Sequence, residues 1–178
     1  MNYRILFCLM IMKNFKLLSI SIVLLFLFSV QTIQAQSVTV FLTRHAEKAK
    51  NDPKNPDLSE LGKKRAEQFV LFFENQKFDR FLSTPYKRTK QTLEPLAKAN
   101  GKEVIEYSPA APDKLIEEIC KLENETVFIS GHSNTIPDLV NRFTEKKDAK
   151  MIDESRYGDL WVLTLIKGEV VSVIQMKI

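Results

Sequence analysis

The sequence predicts an α/β fold in three layers, α/β/α, with a mainly parallel central sheet and a C-terminal antiparallel hairpin. Two observations predict it. Short β-branched, apolar runs alternate with segments that carry apolar residues at helical spacing, which is typical of a parallel sheet with helices on both faces. Near the C-terminus, residues 160–166 and 170–176 form two such runs around Lys167-Gly168-Glu169, and this pattern predicts the hairpin.

The first strand and the first helix lie on either side of a polar loop. Residues 37–43 form an apolar, β-branched run that ends at Arg44-His45, and a loop rich in Asn, Asp and Pro follows. Ser59 fits the N-cap position of a helix. The apolar residues of that helix recur on one face, which we expect to be buried: Leu61, Ala66, Phe69, Val70 and Phe73.

The remaining elements continue the alternation. We predict strands at 79–82, 102–107 and 126–130, a helix that opens at Thr84-Pro85, a helix over 113–122, and a helix that begins near Pro137. Thr84 suits the N-cap position and Pro85 the first helical position, where its missing N–H costs nothing.

Positive charge is concentrated at one end of the chain. The 178 residues hold 26 Lys and Arg against 22 Asp and Glu, a net charge of +4. Residues 1–35 contribute Arg4, Lys13 and Lys16 and no acid, so residues 36–178 hold 23 basic and 22 acidic side chains. A nearly neutral domain lacks the basic excess that drives binding to phosphate backbones, so we expect no nucleic-acid partner.

The first 35 residues are typical of a secretory signal peptide. Lys13 and Lys16 precede an apolar run of 14 residues, 17–30, and a polar segment that ends in Ala35 follows. A membrane span needs roughly 20 apolar residues, so this run is short for one. We predict cleavage after Ala35, which leaves a single domain, residues 36–178, in the periplasm or the medium. An uncleaved membrane anchor is the alternative.

Both histidines of the chain, His45 and His132, directly follow a predicted core strand. In open parallel sheets, ligands bind beyond the carboxyl ends of the strands. We therefore expect the strand ends at Arg44-His45, Ser83-Thr84 and Gly131-His132 to meet at one rim. A lone histidine is usually structural, but two at strand ends, one of them preceded by an arginine, indicate a functional site.

These residues favour an anion site. Arg88 lies in the first turn of the helix after Thr84, and two guanidinium groups, those of Arg44 and Arg88, can hold phosphoryl oxygens in a forked geometry. Helix N-termini add backbone N–H groups. A histidine that neighbouring cations keep neutral can attack phosphorus, and His132 can bond the transferring oxygens. For Arg88 alone, a solvated helix face is the alternative interpretation.

Four segments carry a family resemblance, in order along the chain. They are LTRHAE at 42–47, LSELG at 58–62, STPYKRTKQT at 83–92 and SGHS at 130–133. The first resembles the RHG/RHA signature of the histidine phosphatase superfamily, the phosphoglycerate-mutase-like fold. The others resemble its L-[ST]-x-x-G helix start, its R-[AT]-x-Q-T element and its second-histidine motif.

The resemblance implies a covalent phosphohistidine mechanism. His45 would be the nucleophile, and Arg44, Arg88 and His132 would bind the phosphoryl group and stabilise the charge of its transition state. Water would then hydrolyse the P–N bond. No metal and no cofactor are implied, and two histidines with one cysteine, Cys120, offer few metal ligands after residue 35.

The sequence does not match the family at the residue that donates a proton to the leaving group. One branch of the superfamily has an aspartate directly after the second histidine, where this chain has Ser133. Larger members of the other branch take a glutamate from an insertion after the third strand, and residues 107–113 are short and hold none. Glu47 and Asp113 are the candidates, with a surface ion pair and a helix cap as their alternative roles. Substrates with good leaving groups, such as phosphohistidine or aryl phosphates, should be favoured.

We therefore expect an exported, metal-independent phosphatase that hydrolyses a phosphomonoester or a phosphoramidate. Its substrate would be a small phosphorylated molecule or a phosphoprotein, and the short domain resembles open-sited phosphatases, including phosphohistidine phosphatases. The alternatives are a non-catalytic phospho-ligand-binding module of the cell envelope and a phosphoglycerate-type mutase. Arg156, Tyr157 and Asp159 are expected in a solvated loop, with a place at the rim of the sheet as the alternative.

Overall fold

The computed structural model describes residues 36–178 as six strands and four helices. The strands are β1 (Ser37–Arg44), β2 (Arg80–Ser83), β3 (Val104–Glu106), β4 (Thr126–Gly131), β5 (Asp159–Ile166) and β6 (Glu169–Lys177). The helices are α1 (Glu60–Phe72), α2 (Lys87–Ala99), α3 (Pro112–Cys120) and α4 (Thr135–Thr144). The predicted signal peptide, residues 1–35, lies outside the described residues. None of these four helices is long and apolar enough to cross a membrane.

All six strands belong to one mixed sheet, in the order β3-β2-β4-β1-β5-β6. The first four of these are parallel, whereas β5 is antiparallel to β1 and β6 is antiparallel to β5. The predicted α/β fold with a C-terminal antiparallel hairpin is confirmed. Lys167 and Gly168 form the hairpin turn with φ values of 53° and 81°, which is the left-handed pair that a two-residue type I′ turn requires.

Two cores of different composition cover the two faces of the sheet. The face toward α1 and α2 is aromatic and contains six phenylalanines: Phe41, Phe69, Phe73, Phe78, Phe81 and Phe128. The face toward α3 and α4 is mainly aliphatic and is built on Val40 and Leu42 of β1. Because side chains alternate along a strand, β1 sends Phe41 to one core and its neighbours to the other, so both faces of this central strand are buried.

Helix α1 starts where the sequence predicts, but its buried face is shifted. The Ser59 side chain caps the helix by accepting from the Gly62 N–H at 3.1 Å. Gly62 lies in the interface, and a Cβ there would come within 2.2 Å of the Glu47 carbonyl oxygen. Since Gly62, Ala66 and Phe69 face inward, Leu61 points outward and is 59% exposed. The prediction that Leu61 is buried is therefore wrong.

Helix α2 begins at Lys87, two residues after the predicted start. Its N-cap is Tyr86, and no side chain caps it. The expected cap residue, Thr84, is fully buried and places its hydroxyl 3.0 Å from Nε2 of His132. Thr84 and Pro85 therefore belong to the turn that follows β2, and Arg88 still lies in the first turn of the helix, as predicted.

Candidate active site

The two histidines lie next to each other because their strands are neighbours in parallel register. Arg44 at the end of β1 pairs with Gly131 at the end of β4. The His45 backbone N–H then donates to the Gly131 carbonyl at 2.9 Å. The rings of His45 and His132 are consequently 5.5 Å apart, centroid to centroid, at an angle of 69°. The structure thus brings together the two strand ends that the sequence predicts to meet.

Only one nitrogen of the His45 ring is engaged. Its Nδ1 is 2.7 Å from the Ala46 carbonyl oxygen. A carbonyl only accepts, so Nδ1 carries the proton and donates, and the lone pair of Nε2 is available. The ring is 4% exposed, and burial lowers the pKa of His45 to about 3, with the bond to Ala46 opposing and the Arg44 and Arg88 charges assisting. His45 is therefore a neutral imidazole at neutral pH.

His132 is held at both ring nitrogens. Nη2 of Arg88 is 3.3 Å from its Nδ1, and the Thr84 hydroxyl is 3.0 Å from its Nε2. A guanidinium only donates, so Nδ1 accepts and Nε2 carries the proton toward Thr84. Burial, assisted by the charges of Arg88 and Arg44, lowers the pKa of His132 to about 4. This ring is also neutral, and its orientation is fixed from both sides.

Arg88 has buried donors without acceptors. Its Nε and Nη1 atoms are inaccessible to solvent and make no hydrogen bond, while Nη2 contacts His132. The guanidinium carbon lies 4.7 Å from the centre of the Tyr86 ring, which supports the cation from one side. A buried donor that lacks an acceptor costs about 1–3 kcal/mol. An anion at this position would satisfy these donors.

Arg44 holds the loop that precedes β5. Its Nη1 donates to the carbonyl oxygens of Asp153, Glu154 and Arg156 at 2.9, 3.1 and 2.9 Å. Its Nη2 contacts the Glu154 carboxylate at 2.7 Å, and its Nε has no partner. The Tyr157 ring lies 4.4 Å from the guanidinium carbon. Arg44 therefore positions this loop through both of its Nη atoms, and its Nε makes no hydrogen bond.

A cavity of about 540 Å³ opens over these groups. Its walls include both histidines and Arg88, together with Lys48, Tyr86 and Glu154. The N-terminal end of α4, around Asn134 and Thr135, forms another wall, so the positive end of that helix faces the cavity. Of the four residues predicted for the phosphoryl site, three line the cavity, and Arg44 reaches it through Glu154.

The two predicted proton donors lie in ion pairs away from these walls. Arg65 binds the Glu47 carboxylate through both Nε, at 2.9 Å, and Nη2, at 2.6 Å. Burial raises the pKa of Glu47, but the hydrogen bonds from Arg65 outweigh it and the net shift is downward. Asp113 accepts from Arg142 Nη1 at 2.6 Å at the exposed start of α3. Their assignment as proton donors stays a prediction.

Glu154 is a site residue that the sequence analysis did not select, and Tyr157 is one that it named only as an alternative. Both belong to an irregular segment between α4 and β5 that was expected to be solvated. Tyr157 instead stacks on Arg44 and lies 6.4 Å from the His45 ring, and Asp159 is buried at the start of β5. The segment has no periodic pattern, so nothing in the local sequence marks the contact with Arg44, 110 positions earlier in the chain in the case of Glu154.

The described residues do not include a metal-binding cluster. In the range 36–178, no three His, Cys, Asp or Glu side chains lie close enough together to hold a metal ion. Cys120 packs half-buried against the aliphatic core, with its Sγ 3.4 Å from the Gly168 carbonyl. It lies outside the cavity that the histidines line.

Comparison with known proteins finds a family model that matches part of this chain. Residues 40–110 match the family model of the histidine phosphatase superfamily (branch 1). The matched segment includes both predicted arginines and His45. Among proteins of curated function, none matches this sequence.

Solved structures of low sequence identity share the fold. The protein histidine phosphatase SixA complexed with tungstate is 18% identical, with a TM-score of 0.63, over 78% of this chain and 96% of that one. A phosphoserine phosphatase from Entamoeba histolytica is 15% identical, with a TM-score of 0.59, over 76% and 96%. A phosphoglycerate mutase from Plasmodium falciparum is 16% identical, with a TM-score of 0.54, over 80% and 91%. At these identities the likeness establishes the fold, which phosphatases and a mutase share.

Proposed function

We propose that this chain is a phosphatase of the histidine phosphatase superfamily and that it works through a phosphohistidine on His45. The observation that carries the proposal is the pairing of a free nucleophile with a free anion site. The unprotonated Nε2 of His45 and the two buried, unpaired donors of Arg88 belong to side chains that line one cavity. A phosphoryl group bound to Arg88 would lie beside an imidazole ready to attack it.

In the first step, the Nε2 lone pair of His45 forms a bond to phosphorus. The bond from phosphorus to the oxygen or nitrogen of the leaving group breaks, and its electron pair departs with that group, which takes up a proton. The His45 ring gains positive charge as Nε2 becomes bonded. The hydrogen bond from Nδ1 to the Ala46 carbonyl, 2.7 Å long, stabilises this charge.

Cationic and dipolar groups would stabilise the phosphoryl oxygens during transfer. Arg88 offers Nε and Nη1, Arg44 offers Nε, and the N-terminal end of α4 supplies a positive dipole. His132 would hold Arg88 in place by accepting from its Nη2 at Nδ1, and its Nε2–H, which lies 3.0 Å from the Thr84 hydroxyl, is the donor that a phosphoryl oxygen would take. In the second step, water attacks phosphorus, the P–N bond breaks, and its electron pair returns to His45.

The substrate class follows from the cavity and the leaving group. We propose a phosphomonoester or a phosphoramidate, carried by a small molecule or by a phosphoprotein. The structures of a histidine phosphatase and a phosphoserine phosphatase on the same fold support phosphatase chemistry over binding alone. We also propose that no metal is needed, because the side chains of the site supply the positive charge. Turnover that persists in a strong chelator would support this, and loss restored by added metal would contradict it.

Export is part of the proposal and rests on residues 1–35. Expression of the full sequence in a bacterial host should release a protein whose first residue is Gln36 into the periplasm or the medium. N-terminal sequencing of the recovered protein measures this directly. A protein that keeps residues 1–35 and sediments with membranes would establish the anchor instead.

Replacement of the nucleophile tests the mechanism. With p-nitrophenyl phosphate at pH 5–8, we expect His45→Ala to lower kcat by about 10³-fold or more and to abolish an acid-labile phosphoenzyme. Glu60→Gln, which breaks an exposed ion pair with Lys63 on α1, is the matched control and should leave labelling intact. Labelling that persists in His45→Ala would assign the nucleophile elsewhere. Phosphate binding by the wild type without any turnover would favour the non-catalytic alternative.

A further inference from the structure

Hydrolysis of a phosphohistidine requires a water molecule that loses a proton as it attacks. The two histidines cannot accept it readily in the free protein, since both are buried and have lowered pKa values. Neither Glu47 nor Asp113 lines the cavity. Among the carboxylates of the described residues, Glu154 is the one in the cavity wall.

The Glu154 carboxylate is fixed at both oxygens. Its Oε1 accepts from the Ser133 hydroxyl at 2.5 Å, and its Oε2 contacts Arg44 Nη2 at 2.7 Å. The Glu154 backbone carbonyl also accepts from Arg44, at 3.1 Å. The side chain is nevertheless 63% exposed, so one face of the carboxylate remains open to the water of the cavity. Ser133 directly follows His132, which places the carboxylate beside the second histidine.

The charges around Glu154 keep it ionised. Lys48 lines the same cavity, and Arg44, His45, His132 and Arg88 are the other titratable groups that face it. The hydrogen bond from Ser133 lowers the pKa of Glu154, burial opposes this, and the Arg44 charge lowers it further. The group is therefore a carboxylate at neutral pH, which is the form that accepts a proton.

We propose that Glu154 is the general base for hydrolysis of the phosphohistidine, a role that rests on the proposed phosphatase function. The water oxygen forms a bond to phosphorus while one of its protons passes to the Glu154 carboxylate. The P–N bond breaks, and its electron pair returns to Nε2 of His45. The products are inorganic phosphate, neutral His45 and protonated Glu154. Glu154 can then give this proton to the next leaving group, so one carboxyl group balances both steps.

A structural role predicts a different result. If Glu154 served only to anchor the loop to Arg44, its replacement would weaken phosphate binding and slow both chemical steps together. If it is the base for the second step, Glu154→Gln should slow hydrolysis of the phosphoenzyme and leave its formation nearly unchanged. An aryl phosphate separates the two, because its good leaving group needs little help from an acid.

The experiment is rapid-quench kinetics with p-nitrophenyl phosphate on the protein recovered from expression of the full sequence. In Glu154→Gln we expect the rate of phosphoenzyme formation to stay within about threefold of wild type, and steady-state turnover to fall about 10²-fold. Phosphoenzyme should accumulate. Equal losses in both steps, or unchanged turnover, would overturn the proposal. A wild type that forms no phosphoenzyme would instead contradict the proposed function on which this role depends.

Two further variants separate chemistry from loop structure. Ser133→Ala removes the hydroxyl that lowers the pKa of Glu154, so the acid limb of the kcat–pH profile should move to higher pH. Ser155→Ala removes a hydrogen bond to Asp153 within the same loop and keeps the carboxylate, so it should leave both the limb and the turnover unchanged. An acid limb that stays in place in Ser133→Ala, or moves equally in Ser155→Ala, would refute the role of Glu154.

Discussion

The two sides of the cavity are built in different ways. On one side, the parallel strands β1, β2 and β4 end together, and the residues that directly follow them carry the two histidines and the turn before Arg88. On the other side, an irregular segment, residues 145–158, supplies Glu154 and Tyr157 and is held by Arg44. The strand-end side is positioned by sheet hydrogen bonds, and the loop side chiefly by the buried Arg44 guanidinium, with help from Ser133.

This difference teaches how the two sides respond to change. Sheet register positions the strand ends, so a side chain there can be replaced without moving its neighbours far. The loop has no ladder of its own, and three of its carbonyls depend on Arg44. We therefore expect substitutions on the strand-end side to change catalysis, and substitutions at Arg44 to change stability as well.

The largest expected effect belongs to Arg88. Arg88→Ala removes a guanidinium that lines the cavity and carries two unpaired donors, and it should lower kcat/KM for p-nitrophenyl phosphate about 10³-fold, or about 4 kcal/mol of transition-state stabilisation. The unfolding midpoint in urea should change little. Lys90→Ala is the control on the same helix as Arg88: it removes a surface ion pair with Glu106 of β3 and should leave kcat/KM unchanged. Similar losses in both variants would mean that the helix, and not the guanidinium, is responsible.

A smaller effect, on stability, is expected at Arg44. Arg44→Met removes the donor that three loop carbonyls share, of which the Asp153 carbonyl keeps a bond from the Arg156 N–H, and should lower the free energy of unfolding by about 3 kcal/mol, measured by urea denaturation. Arg80→Met is the matched control, because it breaks an exposed ion pair with Glu125 and should cost about 1 kcal/mol or less. Equal costs in the two variants would contradict the anchoring role of Arg44.

The smallest effect concerns acid stability. His45 and His132 have folded-state pKa values of about 3 and about 4, below the ordinary value of 6.5. Between pH 6.5 and 4 the unfolded chain binds protons that the folded protein does not, so stability falls as the pH is lowered through this window. From pH 7 to pH 5 we expect His45 to account for about 1–2 kcal/mol of the loss. His45→Asn should show a correspondingly flatter profile in urea denaturation, and an unchanged slope would place this ring in contact with water.

Regular elements could be predicted from sequence because their signals are local. The run TVFIS predicts β4, and the turn Lys167-Gly168 predicts the hairpin, since each depends on a few adjacent side chains. The start of α2 could not be predicted. Thr84-Pro85 is a good local cap signal, but the Thr84 hydroxyl bonds to His132, which is 48 residues away. Tertiary contacts overrode the local preference there.

The candidate site also contains residues whose positions could be predicted from sequence and residues whose positions could not. His45 and His132 could be predicted to meet because each follows a strand and parallel strands end at one rim. Glu154 could not, because its position depends on long-range contacts from Arg44 and Ser133 to an irregular loop. The donors of Arg44 were expected to bind phosphoryl oxygens. Its Nη1 instead donates to backbone carbonyls of that loop. Periodicity carries no information about such contacts.

Gly62 has a consequence for how sequences of this kind are recognised. It lies in the motif LSELG and is required because any Cβ would collide with the carbonyl of Glu47. The glycine therefore reports close packing of α1 on the chain just after His45, the proposed nucleophile. A descendant that lost His45 would keep the glycine as long as it kept the fold. A protein that kept Gly62 but lost His45 would thus still match most of the sequence pattern. The residue at position 45 would then distinguish an active enzyme from an inactive relative.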